Sequence, residues 1–104
     1  MSRLVGPVLR MGDDVDQVIA AIEDDNPDQD IEVVDRGAYV RVRGARRVTV
    51  TLETLRRYLG PDFEIRSMET MMSSFVGRVI TTSDSITWED ITARSKAAAE
   101  GAAA

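Results

Sequence analysis

The most regular hydrophobic pattern in the chain lies just after Gly12, where apolar residues recur at the spacing of an amphipathic helix. Four of them occupy positions i, i+3, i+4 and i+7 on one face: Val15, Val18, Ile19 and Ile22. Acids at Asp13 and Asp14 suit a helix start, because the N-terminus of a helix carries partial positive charge. The pattern therefore predicts a helix that ends before Pro27, since proline cannot continue one.

A second helix is predicted where three leucines share one face: Leu52, Leu55 and Leu59. Thr51 precedes them in the N-cap position, where a side-chain oxygen can accept a hydrogen bond from the first turn. Gly60 and Pro61 follow them as a stop signal, with glycine past the last turn and then proline. These signals bound the predicted helix at both ends.

Short β-branched or alternating runs surround the two helices and predict strands. They cover residues 5–10, 31–35, 38–43, 48–50, 63–66, 77–82 and 86–88. Pro7 should confine the first strand to a sheet edge, or lie among its first residues, because proline lacks the N–H that an inner strand uses. The strands within 31–50 should form a hairpin or meander whose arginines face solvent.

The order β-α-β-β-β-α-β-β-β predicts an α+β fold, a small single domain with helices packed on short antiparallel sheets. We expect residues 1–92 to form this domain. Residues 93–104 are rich in alanine and have no apolar periodicity, so we expect them to be a flexible tail.

The composition excludes several kinds of chemistry. The 104 residues include no cysteine and no histidine, which rules out disulfides, thiolate catalysis and the usual general base near neutral pH. A glycine-rich phosphate loop is also absent from the sequence. The net charge of −5 argues against nucleic-acid binding, which needs a basic surface. We therefore expect no catalytic residues, no cofactor and no metal.

Charge is distributed unevenly along the chain. Residues 11–35 contain ten acids and no base, whereas residues 36–47 contain five arginines and no acid. Either these are two solvated faces that attract each other weakly, or they form a docking surface that steers a protein partner. The acidic run at 24–30 fails as a calcium loop, because the sharp-turn glycine is missing and Asp35 replaces the terminal glutamate.

Residues 67–77 follow neither helical nor strand periodicity, although they hold several large apolar side chains: Met68, Met71, Met72 and Phe75. These side chains either fill the core or form an adaptable binding surface, for which methionine, or phenylalanine among small residues, is well suited. Gly77 before a strand can reflect a backbone requirement.

Three separated stretches, with a fourth between the last two, occur in an order that is similar to a known family. They read VGPVLRMGD at 5–13, DRGAYVR at 35–41 and SSFVGR at 73–78, with LGPDF at 59–63. In this order they resemble the effector, or coupling, proteins of bacterial soluble diiron monooxygenases, which include toluene, phenol, alkene, isoprene and methane systems. The resemblance covers about residues 5–92 and is nearest to the toluene and alkene or isoprene types.

The resemblance implies a regulatory protein with no cofactor and no catalytic chemistry of its own. It also implies binding to the hydroxylase component above its diiron centre, control of oxygen activation and coupling to hydrocarbon oxidation, with a ferredoxin or reductase using an overlapping surface. The hydroxylase-interface residues that it implies here are Met72, Ser73, Ser74, Phe75, Val76, Gly77 and Arg78. Tyr39 is expected to belong to the folded frame.

The chain lacks an apolar run approaching the roughly 20 residues of a membrane span. It also lacks a secretory signal at its N-terminus, so we expect a cytoplasmic location and no membrane partner. The alternative to the effector function is a small-molecule-binding α+β sensor module, which should have a concave apolar pocket.

Overall fold

The computed structural model describes residues 4–91, and within them three helices and seven strands follow one another along the chain. In chain order these are β1 (Leu4–Arg10), α1 (Val15–Asp25), β2 (Glu32–Asp35), β3 (Tyr39–Ala45), β4 (Arg47–Thr51), α2 (Leu52–Leu59), α3 (Ile65–Met71), β5 (Met72–Val76), β6 (Arg78–Thr81) and β7 (Ser85–Glu89). The tail predicted to be flexible, residues 93–104, lies outside the described residues.

The strands form two antiparallel sheets. The first has the order β2-β3-β1-β5 and the second the order β4-β7-β6. Strand β1 contacts β4 and β7 of the second sheet, and α1 packs on α2 and β4. Leu9, Leu55 and Trp88 are among the side chains fully buried between these layers. The architecture is α+β, with helices on short antiparallel sheets, and confirms the predicted fold class.

Helix α1 confirms the first predicted helix. The apolar residues of its packed face are Val15, Val18, Ile19, Ala21 and Ile22, of which only Ile19 is half-buried rather than buried. Asn26 follows the helix, and its Nδ2 donates to the carbonyls of Ile22 at 2.6 Å and Thr49 at 2.7 Å. Its Oδ1 accepts from the Thr49 N–H at 3.1 Å. This one side chain therefore ties the end of α1 to β4.

Helix α2 confirms the second predicted helix and both of its end signals. Thr51 Oγ1 accepts from the Thr54 N–H at 3.3 Å, and Gly60 follows the last helical residue with a φ of +103°. Asp25, at the end of α1, accepts from the Thr51 N–H and the Thr54 hydroxyl, both at 2.7 Å. The start of α2 is thereby fixed against the end of α1.

The strand predicted at 63–66 is wrong. Glu64 is extended, but helix α3 begins at Ile65 and buries Ile65 together with Met68. Phe63 and Ile65 alternate as in a strand, whereas Ile65 and Met68 can share one buried face only with helical spacing. The segment at 67–77, which has no single periodicity, is in fact the rest of this helix followed by β5.

Of the two arrangements predicted within 31–50, the structure has the hairpin and not the meander. Strands β2 and β3 form the hairpin, with Glu32 opposite Arg43 and Asp35 opposite Val40. Strand β4 instead pairs with β7 in the second sheet. Arg46, between β3 and β4, has a φ of +67°, a conformation that interrupts an extended chain and lets β4 leave the first sheet.

The edge position predicted for Pro7 is also wrong. Strand β1 lies inside the first sheet, between β3 and β5, and Pro7 is its fourth residue. The ladder between β1 and β3 pairs Val5 with Gly44 and Val8 with Arg41, but it skips Gly6 and Pro7. An inner strand can hold proline here because the missing N–H falls in this gap.

Candidate protein-interaction site

The segment expected to contact a partner, residues 72–78, forms strand β5 and the turn into β6. Strand β5 is at the edge of the first sheet and, among residues 4–91, pairs only with β1. Ser73, Ser74 and Phe75 are exposed, and Met72 and Val76 are half-buried. The strand therefore presents side chains to solvent together with one unpaired backbone edge.

The large apolar side chains of residues 67–77 divide between the two expected roles. Met68 is fully buried, and Met71 and Met72 are partly buried against the core. Phe75 is 42% exposed, among the most exposed of the large apolar side chains within residues 4–91. The core interpretation therefore holds for the methionines and not for Phe75.

The two serines of β5 differ in their surroundings. Ser73 Oγ donates to the carbonyl of Val8 at 3.2 Å, next to an irregularity in the pairing of β1 with β5. Ser74 lies directly opposite Val8 on the neighbouring strand. Ser73 thus fixes the strand to its neighbour, while Ser74 lies on the sheet face beside Val8.

Gly77 and Arg78 join the two sheets at the end of the segment. Gly77 has a φ of +99°, and a Cβ placed there would lie 2.5 Å from the Glu89 carbonyl oxygen and 2.8 Å from Val5 Cγ1. Glycine is therefore required by the backbone, as the sequence suggested. Arg78 is exposed and lies opposite Glu89 in the β6–β7 ladder.

The solvent-facing side of the first sheet brings together residues that are distant in sequence. Val8 lies opposite both Arg41 on β3 and Ser74 on β5, so the three side chains cross the sheet in one row. A cavity of about 190 Å³ lies there. We call this surface the arginine face, defined by Gly6, Val8, Arg41, Arg43, Ser74 and Val76.

The arginines of this face lie on the solvent-facing side of the sheet, as predicted, and are half-buried there. The Arg41 Cζ atom lies over the Tyr39 ring, 5.9 Å from its centroid, and Arg43 forms an ion pair with Glu32. Tyr39 is itself half-buried in β3. Sequence reasoning found the alternating arginines of β3 but missed their proximity to Ser74, because that proximity depends on β1 lying between β3 and β5.

The first part of the acidic run at 24–30 is engaged within the fold. Asp25 and Asn26 make the hydrogen bonds given above, and Asp24 accepts from the Tyr58 hydroxyl. That hydrogen bond is the main cause that raises the pKa of Tyr58 above its ordinary value. Within residues 4–91, no group of three or more His, Cys, Asp or Glu side chains is placed to hold a metal ion.

Two surface depressions bear on the sensor alternative. One of about 780 Å³ lies beside α2, and its lining includes Asp25, Glu53 and Arg57. Another of about 450 Å³ lies beside α3, and its lining includes Glu64 and Glu69. Both are lined mainly by polar and charged side chains, unlike the concave apolar pocket that a sensor for small apolar molecules requires.

No helix within residues 4–91 combines the length and the apolar character needed to cross a membrane. The longest of them, α1, has 11 residues and carries charged side chains along its exposed face.

Comparison with known proteins places the chain among monooxygenase components. The MmoB/DmpM family model matches residues 3–89. The effector subunit of the alkene monooxygenase system of Xanthobacter autotrophicus is 40% identical over 85 residues, which cover 82% of this chain and 84% of that protein.

Solved structures give the same result for the fold. A structure of the phenol hydroxylase–regulatory protein complex contains a chain with a TM-score of 0.75 and 29% identity, covering 84% of this chain and 98% of that one. The soluble methane monooxygenase regulatory protein B has a TM-score of 0.63 at 21% identity, covering 86% of this chain and 67% of that one. The second likeness concerns the fold alone.

Proposed function

This chain belongs to the MmoB/DmpM family of monooxygenase regulatory proteins, and from that premise we propose that it binds the hydroxylase of a multicomponent diiron monooxygenase. It is a regulatory effector and not a catalytic component. We further propose that the protein docks near the hydroxylase active site and couples oxygen activation to hydrocarbon oxidation.

One observation carries the proposed contact: an edge strand that exposes a large aromatic side chain between small ones. Phe75 is 42% exposed, and it follows Ser73 and Ser74 on β5. An exposed aromatic residue flanked by small residues can enter a groove on a partner and become fully desolvated, as interface anchors do. A protein similar to this one occurs in a complex with phenol hydroxylase, which supports a hydroxylase as the partner.

The proposed interface consists of Met72, Ser73, Ser74, Phe75, Val76, Gly77 and Arg78. Phe75 supplies the apolar anchor, and Arg78 supplies a charge at the end of the segment. Met72 and Gly77 contribute by holding the segment in place. Met72 packs partly on the core, and Gly77 holds a conformation with positive φ at the turn. A ferredoxin or reductase that delivers electrons would use an overlapping surface of the hydroxylase and so compete with this protein.

Coupling requires the effector to distinguish two arrangements of the hydroxylase. A protein without catalytic groups changes a partner only through different affinities for the partner's states. A difference of about 1.4 kcal/mol changes the ratio of two such states tenfold. The pairing of β5 with β1 supports this selectivity, since a preorganised surface fits one arrangement better than another.

We expect the co-encoded hydroxylase, reductase and ferredoxin to form more product per NADH consumed when this protein is added. The rise should saturate as the effector sites on the hydroxylase fill. Steady-state assays with increasing amounts of the protein measure this, with heat-denatured protein as the control. No change at any ratio, together with no detectable complex, would reject the proposed function.

Replacing Phe75 with alanine should weaken hydroxylase binding by more than about 1 kcal/mol, or roughly fivefold in affinity. The free energy of unfolding should change by less than about 1 kcal/mol, because the side chain is not part of the core. Calorimetric titration and urea unfolding measure the two quantities separately.

Val33→Ala is the matched control for Phe75→Ala. Val33 is 41% exposed and lies on β2, the opposite edge strand of the same sheet. This variant should bind the hydroxylase as tightly as the unaltered protein. A Phe75→Ala protein that loses stability but retains affinity would instead place Phe75 in the core and contradict the proposed contact.

A further inference from the structure

We propose that the arginine face is a second part of the hydroxylase contact and receives an acidic segment of the hydroxylase, with Arg41 as its main cation. The proposal rests on the proposed function, because it takes the hydroxylase as the partner. It adds a surface that the family resemblance did not indicate, and it states the chemistry of the partner that binds there.

The arginine face carries positive charge that the described acids do not neutralise. Arg41 forms no ion pair with any acid within residues 4–91, and its guanidinium lies over the Tyr39 ring. Arg10, opposite Tyr39 on β1, donates to the Thr70 carbonyl at 3.2 Å and likewise forms no ion pair with a described acid. Two positive charges on this side of the sheet therefore have no acidic partner in the described part of the chain.

Tyr39 influences how Arg41 is presented to a partner. The Arg41 guanidinium lies over the Tyr39 ring, and a cation over an aromatic face is attracted to it without using its hydrogen-bond donors. A carboxylate prefers the planar edge of a guanidinium, because it can accept two parallel hydrogen bonds from it. Tyr39 is thus a positioning residue for Arg41.

A cavity beside the arginines can receive a partner's side chains. The cavity of about 190 Å³ is lined by Arg41 and Arg43, with Gly6, Val8 and Ser74 among its other residues. Gly6 has no side chain and those of Val8 and Ser74 are short, so they leave space next to the guanidinium groups. The volume suits one or two acidic side chains rather than a whole cofactor.

The position of the cavity indicates what would occupy it. Ser74 and Val76 line the cavity and also belong to the proposed hydroxylase-contact segment, so the arginine face continues that surface. Phe75 and Ser74 lie on opposite faces of the edge strand, so a hydroxylase that covers both faces of β5 would lie next to Arg41. Nucleic acid is a poor alternative, because the chain has a net charge of −5 and ten acids within residues 11–35.

The experiment compares charge reversal on and off the arginine face. Arg41→Glu should raise the Kd for the hydroxylase by about tenfold or more. The Kd should also depend less on salt concentration than that of the unaltered protein. Arg57→Glu is the matched control, because Arg57 is an exposed arginine on α2, which packs on α1 and β4. That variant should bind within about twofold of the unaltered protein, as expected of a charge outside the interface.

A third variant keeps the test valid if an acid in the middle of β3 disturbs the sheet. Arg41→Gln removes the charge without adding a negative one, and it should weaken binding by an intermediate factor. Thermal unfolding of each variant checks that the fold is intact. The unaltered protein is titrated first, since failure of that protein to bind would reject the proposed function itself.

The other outcomes would overturn this inference alone. If the unaltered protein binds and both Arg41 variants bind equally well, the arginine face is not part of the contact. If Arg57→Glu weakens binding as much as Arg41→Glu, the effect comes from net charge. If Arg41→Glu changes only self-association of the free protein, the occupant is a second copy that offers its acidic residues.

Discussion

Replacing Gly6 with alanine is expected to lower the free energy of unfolding by roughly 3 kcal/mol or more, although only one methyl group is added. A Cβ at this position would lie 1.9 Å from the carbonyl oxygen of Val42 and 3.2 Å from the Cα of Arg43. Both are backbone atoms of β3, so no side chain can rotate to make room.

The position of Gly6 in the sheet makes this clash costly. Strand β1 lies between β3 and β5, so moving it away from β3 also disturbs its pairing with β5. Gly6 also has a φ of +146°, a conformation that residues with a Cβ rarely adopt. Relief of the clash therefore requires a shift in the centre of the four-stranded sheet.

Gly12→Ala is the matched control, because it adds the same methyl group where no atom lies within 4 Å. Its free energy of unfolding should change by no more than about 0.5 kcal/mol. Urea unfolding followed by circular dichroism measures both variants. Equal midpoints for the two would contradict the close approach of β1 to β3.

The two long helices could be predicted because their signals are local. The helical spacing in α1, the Thr51 cap and the Gly60 stop are all readable within a dozen residues, and the structure has each of them. Helix α3 could not be predicted in the same way. With 7 residues it has only two buried positions, Ile65 and Met68, and too few turns to establish a periodicity.

Strand order was harder to predict than strand existence. Pro7 was expected at a sheet edge by a rule about single residues, whereas the structure places it where the β1–β3 ladder is interrupted. The gap depends on Gly6 and on the neighbouring backbone of Val42, which lies 36 positions along the chain from Gly6. No local pattern contains that information.

The candidate site likewise has one part that the sequence indicates and one part that depends on strand order. Residues 72–78 were proposed from the family resemblance, and the structure adds that Phe75 is exposed on an edge strand. The arginine face was not predicted, since Arg41 and Ser74 meet across β1 only because β1 lies between their strands. The unequal charge of residues 11–47 did indicate that a docking surface was possible, without indicating which residues would form it.

The second large effect is expected at Asn26, where a change to aspartate should lower the free energy of unfolding by about 2–4 kcal/mol at neutral pH. The change replaces one amide nitrogen by oxygen and leaves the size of the side chain almost unaltered. Asn26 is buried, and its Nδ2 donates to the carbonyls of Ile22 and Thr49 at 2.6 and 2.7 Å. A carboxylate would set a negative oxygen against both carbonyl oxygens.

Gln29→Glu is the matched control for this change. Gln29 also bridges the backbone of the β3–β4 connection, donating to the Arg47 carbonyl and accepting from the Ala45 N–H, both at 2.7 Å. It receives the same replacement of nitrogen by oxygen in a more exposed setting, where water can solvate the new charge. Its loss should stay below about 1 kcal/mol.

The pH dependence separates a charge effect at residue 26 from a general loss of packing. Burial beside two carbonyl oxygens would raise the pKa of the introduced carboxyl above its value in the unfolded chain. The folded state then favours the protonated form, so the deficit relative to the unaltered protein is largest above the raised pKa. It narrows as the pH falls towards the unfolded value, because a protonated carboxyl can again donate to one carbonyl. A deficit independent of pH would mean that the Asn26 amide does not make these two hydrogen bonds.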